Sequence, residues 1–185
     1  RKYLILLVIS FIPRFIYLGT VPVSISHDEI DITIQAHSVI QTGQDIEAKW
    51  RPWEFLPNSG VMAELGPLIS APALKFLPNS LFSAHATSAF LSSFYPVMIV
   101  YLLVLLGVSS QVAWISGLLL AISPWNIFFA RSALEQPTSL FFYTLSWIFL
   151  AKLFQLKKSP YSFILYSSFF VLAYVLGFYT YHGYK

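Results

Sequence analysis

The chain has 185 residues, of which 57% are hydrophobic, 18% aromatic and only 10% charged, with a formal net charge of +3. A soluble domain carries roughly a quarter of its residues as Asp, Glu, Lys and Arg, so the composition excludes an ordinary soluble fold and predicts an all-α integral membrane protein. The sparse Lys and Arg form no basic cluster, so no nucleic-acid partner is expected, and the lack of Cys excludes disulfides and thiolate metal sites.

Residues 1–20 read as a first transmembrane helix. Arg1-Lys2 precedes an apolar run that leads into Thr20-Val21-Pro22, not into a small-residue cleavage site, so the segment is expected to be retained. Arg14, near its far end, is expected to snorkel toward the membrane surface. Residues 21–80 form a long loop holding seven of the eight acids: Asp28, Glu29, Asp31, Asp45, Glu47, Glu54 and Glu64. Ser26-x-x-Glu29 is a capping-box pattern and predicts a helix starting there. Ile32, Ala36, Val39 and Ile40 would form its apolar face, and Gly43 would end it. The alternation of Ile30, Ile32 and Ile34 leaves a strand as the competing reading. Residues 67–77 are too short to span, are broken by Pro72 and read as interfacial or re-entrant. Trp50 and Trp53 suit the headgroup layer.

Four further spans follow at residues 83–106, 111–130, 137–154 and 161–179, giving about five transmembrane helices in a single domain over residues 1–185. Pro124 should kink the third span, and Pro137 suits the first turn of the fourth. With alternating helices, Arg1, Lys2, Lys152, Lys157 and Lys158 share one side, expected to be cytoplasmic. The acid-rich loop, the hairpin 131–136 and His182 would then face outward together, at the cell membrane. The chain opens without Met and stops just after an apolar segment, and so reads as the N-terminal part of a longer protein.

Two adjacent carboxylates at a membrane edge are a functional-site candidate, because ionised groups are costly near hydrocarbon. Glu29 can serve merely to close the capping box, and Asp28 merely to favour the positive helix end. That same helix end would keep Asp28 ionised and suited to accept a proton as a general base. Arg131 and Glu135 are the only Asp, Glu, Lys or Arg residues between Lys75 and Lys152. At i, i+4 they can be a surface pair, yet Arg is also the natural donor to a phosphate. Glu64, in Glu64-Leu65-Gly66-Pro67, adds another acid, and Gly66 permits close backbone approach. His27 adjoins the acids; a divalent metal there is an open alternative, although neighbouring residues rarely point at one ion.

The order of these features resembles the N-terminal part of the polytopic GT-C glycosyltransferases, in particular the protein O-mannosyltransferases and the lipid A aminoarabinose transferases. The likeness rests on an apolar helix, the Asp28-Glu29 pair, a Gly-Pro-Leu segment, and Ser123-Pro124 leading through Arg131 to Glu135. Two features depart from that pattern: Glu135 stands where many members have Asp, and Glu64 precedes Leu65-Gly66-Pro67-Leu68 where relatives often have Lys or His before Pro-Pro-Leu. The resemblance implies transfer of a sugar from a polyprenyl-phosphate donor to a hydroxyl of a protein, lipid or glycan, with inversion, on the extracytoplasmic side. Asp28 and Glu29 would be catalytic, and Arg131, Glu135, Glu64 and His27 would bind substrate. The competing readings are a transporter or non-catalytic membrane subunit with an acid-lined outer cavity, and a catalytically inactive sugar-binding relative.

Overall fold

The computed structural model describes residues 1–23, 25–48, 63, 65–155 and 160–181, and these are helical with no strand among them. In chain order the helices are α1 (Lys2–Phe15), α2 (His27–Thr42), α3 (Gly66–Phe76), α4 (Leu81–Leu105), α5 (Ser110–Ile122), α6 (Pro124–Ala130), α7 (Glu135–Gln155) and α8 (Pro160–Thr180). The expected positions Glu64, Trp50, Trp53, Lys157, Lys158 and His182 lie outside the described residues.

Among the described residues three helices, α4, α7 and α8, are long and apolar enough to cross a membrane, and α5 with α6 forms a fourth candidate, bent by 57°. This is the architecture of an all-helical membrane protein. The expected count of five is not reached, because α1 has 14 residues, about 21 Å of helix against a hydrocarbon core of roughly 30 Å. Its C-cap, Ile16, is extended, and Tyr17 takes a positive φ of 55°.

Helix α4 is the hub, packing against α1, α3, α5, α6 and α7. Its buried face is built of small residues, Ser83, Ala84, Ala86, Ser88, Ala89, Ser92 and Ser93 among them. Small side chains let helices approach closely where hydrocarbon offers no hydrophobic drive between them. Gly117 of α5 does the same across the bundle: a Cβ there would stand 2.2 Å from Val100 Cγ2. Aromatic side chains on α7 and α8 interleave, with Phe149 stacked on Phe169 at 5.2 Å.

The loop helices follow the sequence closely. Ser26 and Glu29 form the reciprocal capping box that starts α2, and Gly43, at φ 73°, ends it in the left-handed conformation. The helix reading prevails over the strand because Ile32, Ala36 and Val39 share one buried face; Ala36 packs with Leu74 of α3 and Ala84 of α4, and Ile40 lies against them. Helix α3 runs unbroken through Pro72, a correction to the expected break. At 11 residues it is too short to span.

One end of the bundle gathers the starts of α2, α3, α4 and α7 and the ends of α1 and α8; this is the acidic end. Lys152, in the last turn of α7, lies toward the opposite end, with its ammonium 5.4 Å from the ring centres of Tyr101 and Tyr166.

Candidate active site

The acidic end is built around Glu29. Its Oε2 accepts from the Ser26 backbone N–H at 2.8 Å, completing the capping box. Its Oε1 accepts from the backbone N–H of Ala133 at 2.7 Å, across 104 residues of sequence. His85, fully buried in the first turns of α4, brings Nε2 to 3.3 Å from the same oxygen, a close polar contact without good hydrogen-bond alignment. Burial pushes the Glu29 carboxyl up, but the contacts with His85, Ser26 and Ala133 outweigh it and hold it down at about 2. Glu29 is therefore a buried carboxylate that ties α2, α4 and the 131–134 hairpin together.

Asp28, one residue earlier, is different. It is exposed and makes no hydrogen bond to a described residue. It sits in the first turn of α2, where the helix dipole favours a negative charge. The expected pair thus divides into one anchored carboxylate and one open one.

Arg131 is buried, and its guanidinium holds the end of α1. Nη1 donates to the carbonyls of Pro13 and Ile16, and Nη2 to that of Val21, each at 2.7 Å. The Pro13 and Ile16 carbonyls lie at the C-terminus of α1, where a helix leaves carbonyls without an intrahelical donor, and Val21 is in the segment that follows. Glu135 turns elsewhere: its Oε1 accepts from the Ala63 N–H at 3.1 Å. The start of α3 presses against the same carboxylate, and a Cβ on Gly66 would stand 2.6 Å from Oε1. The expected close approach at Gly66 is present. Leu65 donates to the Tyr179 carbonyl at 3.0 Å, joining the end of α8 to this cluster.

His27 forms an exposed i, i+4 contact with Asp31 at 3.2 Å. Among the described residues no three of His, Asp and Glu converge on a point that would hold a metal ion. The structure therefore brings Glu29, the hairpin and Glu135 into one cluster with Asp28 on its rim.

Two residues escaped the sequence reading. His85 carries no sign in the sequence that it would face Glu29. Arg14 corrects the snorkelling expectation: it is fully buried. Its guanidinium donates to the carbonyls of Ser10 at 2.7 Å, Ala121 at 3.1 Å and Leu120 at 3.4 Å, and to Asn126 Oδ1. The signal for this role lies in Pro124, which has no N–H to offer the Leu120 carbonyl four residues back. Arg14 supplies the missing donor at the α5–α6 break.

An apolar groove runs from the acidic end along α3 and α4, with a volume of about 520 Å³. Ile69, Pro72, Phe82, Phe90 and Phe142 line it, and Thr87 is the one hydroxyl in its lining. Ile69 is one turn from Gly66 and Phe142 two turns from Glu135, so the groove begins beside the carboxylate cluster. The chain matches no protein-family profile, and no curated protein or solved structure shows significant similarity to it.

Proposed function

We propose that this is a membrane glycosyltransferase that takes a sugar from a polyprenyl-phosphate donor and passes it to an acceptor hydroxyl on the extracytoplasmic side. The observation that carries the reading is the division of labour between two neighbouring carboxylates. Glu29 has both oxygens engaged and fixes the start of α2, whereas Asp28 is open at that rigid helix end. A general base must be both held and accessible, and Asp28 meets both requirements.

In the reaction the acceptor O–H gives its proton to the Asp28 carboxylate as its oxygen bonds the anomeric carbon. The bond from that carbon to the phosphate oxygen breaks, and polyprenyl phosphate leaves with the electron pair. In-line attack inverts the anomeric centre. The groove along α3 offers the donor's hydrocarbon tail an apolar bed leading to the acidic end. Arg131, with its Nη atoms on the end of α1, contributes a fixed positive charge near that end; charge placed in advance is what stabilises a developing phosphate anion. Glu29 and Glu135 act as positioning residues, and Glu64 and His27 remain candidate substrate contacts. The acceptor, whether protein, lipid or glycan, meets Asp28 from the aqueous side. The distribution of Lys and Arg supports an outward-facing acidic end.

A cation-transporting alternative draws on the broken helix at Ser123, since half-helices often coordinate ions. Against it, the carbonyls at that break are taken by Arg14, and a guanidinium there repels a cation.

The test uses the full-length protein in proteoliposomes with a radiolabelled polyprenyl-phosphate hexose and a membrane extract as acceptor source. Wild type should release polyprenyl phosphate and label an acceptor, and Asp28→Asn should lower the rate about 100-fold or more while donor binding persists. Absence of transfer by wild type from any polyprenyl-phosphate sugar would overturn the proposal.

A further inference from the structure

The end of the bundle away from the acids has a feature of its own, in the seam where α4, α7 and α8 meet. Lys152, in the last turn of α7, places its ammonium 5.4 Å from the ring centre of Tyr101 on α4 and 5.4 Å from that of Tyr166 on α8. Two neutral rings hold the cation in place without cancelling its charge. The ammonium makes no hydrogen bond to a described residue, and it is open at the surface rather than enclosed.

Lys152 differs in this from Arg14 and Arg131, whose guanidinium groups are spent on backbone carbonyls. A lysine near helix ends commonly bonds the last free carbonyls there. On α4 those carbonyls are already taken. Leu102, Leu103 and Val104 accept from the N–H groups of Leu106, Val108 and Gly107 at 2.9, 3.0 and 3.1 Å. Leu105 accepts from the Gln155 side-chain amide at 2.6 Å, a bond that also ties the end of α7 to the end of α4. Neither α4 nor α8 contains an acid, and the one in α7, Glu135, lies about 25 Å from Lys152 along the helix axis. The seam therefore holds a fixed, accessible cation with no anion of the protein to pair with it.

Depth and surroundings say which anion fits. Tyr101 lies about 6 Å from the end of α4, and Tyr166 about 9 Å from the start of α8. In a bilayer with a hydrocarbon core of roughly 30 Å, the ammonium then sits near the level of the lipid phosphates. One turn further in, Phe149 stacks on Phe169 at 5.2 Å. Phe169 remains 42% exposed, an apolar wall for acyl chains beneath a headgroup.

We propose that this seam binds an anionic phospholipid, its phosphate accepting from the Lys152 ammonium and its chains lying along α7 and α8. A zwitterionic headgroup would bring its own cation beside the ammonium and find no acid to receive it, so the anionic lipid is preferred. The inference does not depend on the transfer reaction, because no residue assigned to transfer belongs to the seam.

The experiment is native mass spectrometry of the full-length protein in detergent with an equimolar mixture of dioleoyl phosphatidylglycerol and dioleoyl phosphatidylcholine. At least one phosphatidylglycerol should be held about fivefold more tightly than phosphatidylcholine, the effect of one lysine on an anionic lipid. Lys152→Gln should abolish that preference and Lys152→Arg should keep it, while Tyr166→Leu, which removes one ring from the cation, should weaken it about twofold or more. Lys75→Gln, which removes the same charge from α3, should leave it unchanged. Inorganic phosphate in large excess should not displace the lipid, because it has no chains to lay against the wall. Equal retention of the two lipids by wild type, a preference unmoved by Lys152→Gln, an equal loss in Lys75→Gln, or displacement by inorganic phosphate would overturn the proposal. If Lys152→Gln does not fold, Tyr166→Leu decides, and a preference it leaves at wild-type strength would overturn the proposal as well.

Discussion

Two of the buried ionisable side chains, Arg14 and Glu29, have opposite signs and opposite kinds of partner. At the α5–α6 break the buried charge is Arg14, and its main partners are backbone carbonyls. At the acidic end Glu29 is buried and accepts from backbone N–H groups. Each sign suits its place, because a helix leaves carbonyls without intrahelical donors at its C-terminal end and N–H groups without acceptors at its start. Arg131 repeats the first arrangement at the end of α1. The difference lies in what remains over. At the break, every Nη atom of Arg14 is occupied, and none of its partners among the described residues is an acid. At the acidic end, an open carboxylate, Asp28, remains beside the buried one.

The largest loss of stability is expected where the guanidinium repairs the break. Arg14→Met keeps the apolar stem but leaves the Leu120 and Ala121 carbonyls unpaired, for a loss of about 3 kcal/mol or more. Thermal unfolding in detergent should show little or no folded material at the wild-type transition. A variant that melts with wild type would mean that the break needs no donor.

Glu29 should come next, and its signature is pH dependence. Its carboxyl is held down at about 2 against an ordinary value of 4.5. Its stabilisation is therefore fully present above pH 4.5 and is lost as pH falls toward 2, on the order of 3 kcal/mol in all. Glu29→Gln, which can still cap α2, should flatten the stability profile in that window and lower stability at neutral pH. A mutant profile as steep as that of wild type would assign the acid sensitivity to other groups.

Gly66→Ala should cost less, about 1–2 kcal/mol, because the obstacle is the movable end of Glu135 rather than backbone. Glu135 would swing away and release the Ala63 N–H, so Glu135→Ala combined with Gly66→Ala should lose less than the sum of the two. Strict additivity in that double-mutant cycle would show that the two residues do not press on each other.

Much of this comparison was legible in the sequence, where it depended on neighbours along the chain. Ser26 and Glu29 announced the start of α2, Gly43 its end, Gly66 a close approach and Pro124 a bend. What stayed hidden depended on partners a hundred residues away. Arg131 looked free for a phosphate because the carbonyls it holds belong to the end of α1. Arg14 looked like an interfacial residue because a one-dimensional reading does not show that α1 packs against the break. His85 gave no local sign of facing Glu29, since its neighbours in α4 are Ala and Ser. The first of the expected spans is not among the candidates in the described residues, because the apolar run continues past Phe15 but the helix does not.

The central claim is that adjacent carboxylates divide anchoring from chemistry, and Asp28→Asn tests it most directly. The amide keeps the size of the side chain, and the exposed position should hold the change in stability within about 0.5 kcal/mol. Thermal unfolding and sugar transfer from a polyprenyl-phosphate donor are measured on the same purified full-length variant, beside Glu29→Gln. The account predicts an Asp28→Asn protein that melts with wild type and transfers about 100-fold more slowly or worse, whereas Glu29→Gln loses stability first. An Asp28→Asn protein that melts normally and transfers at the wild-type rate would contradict it.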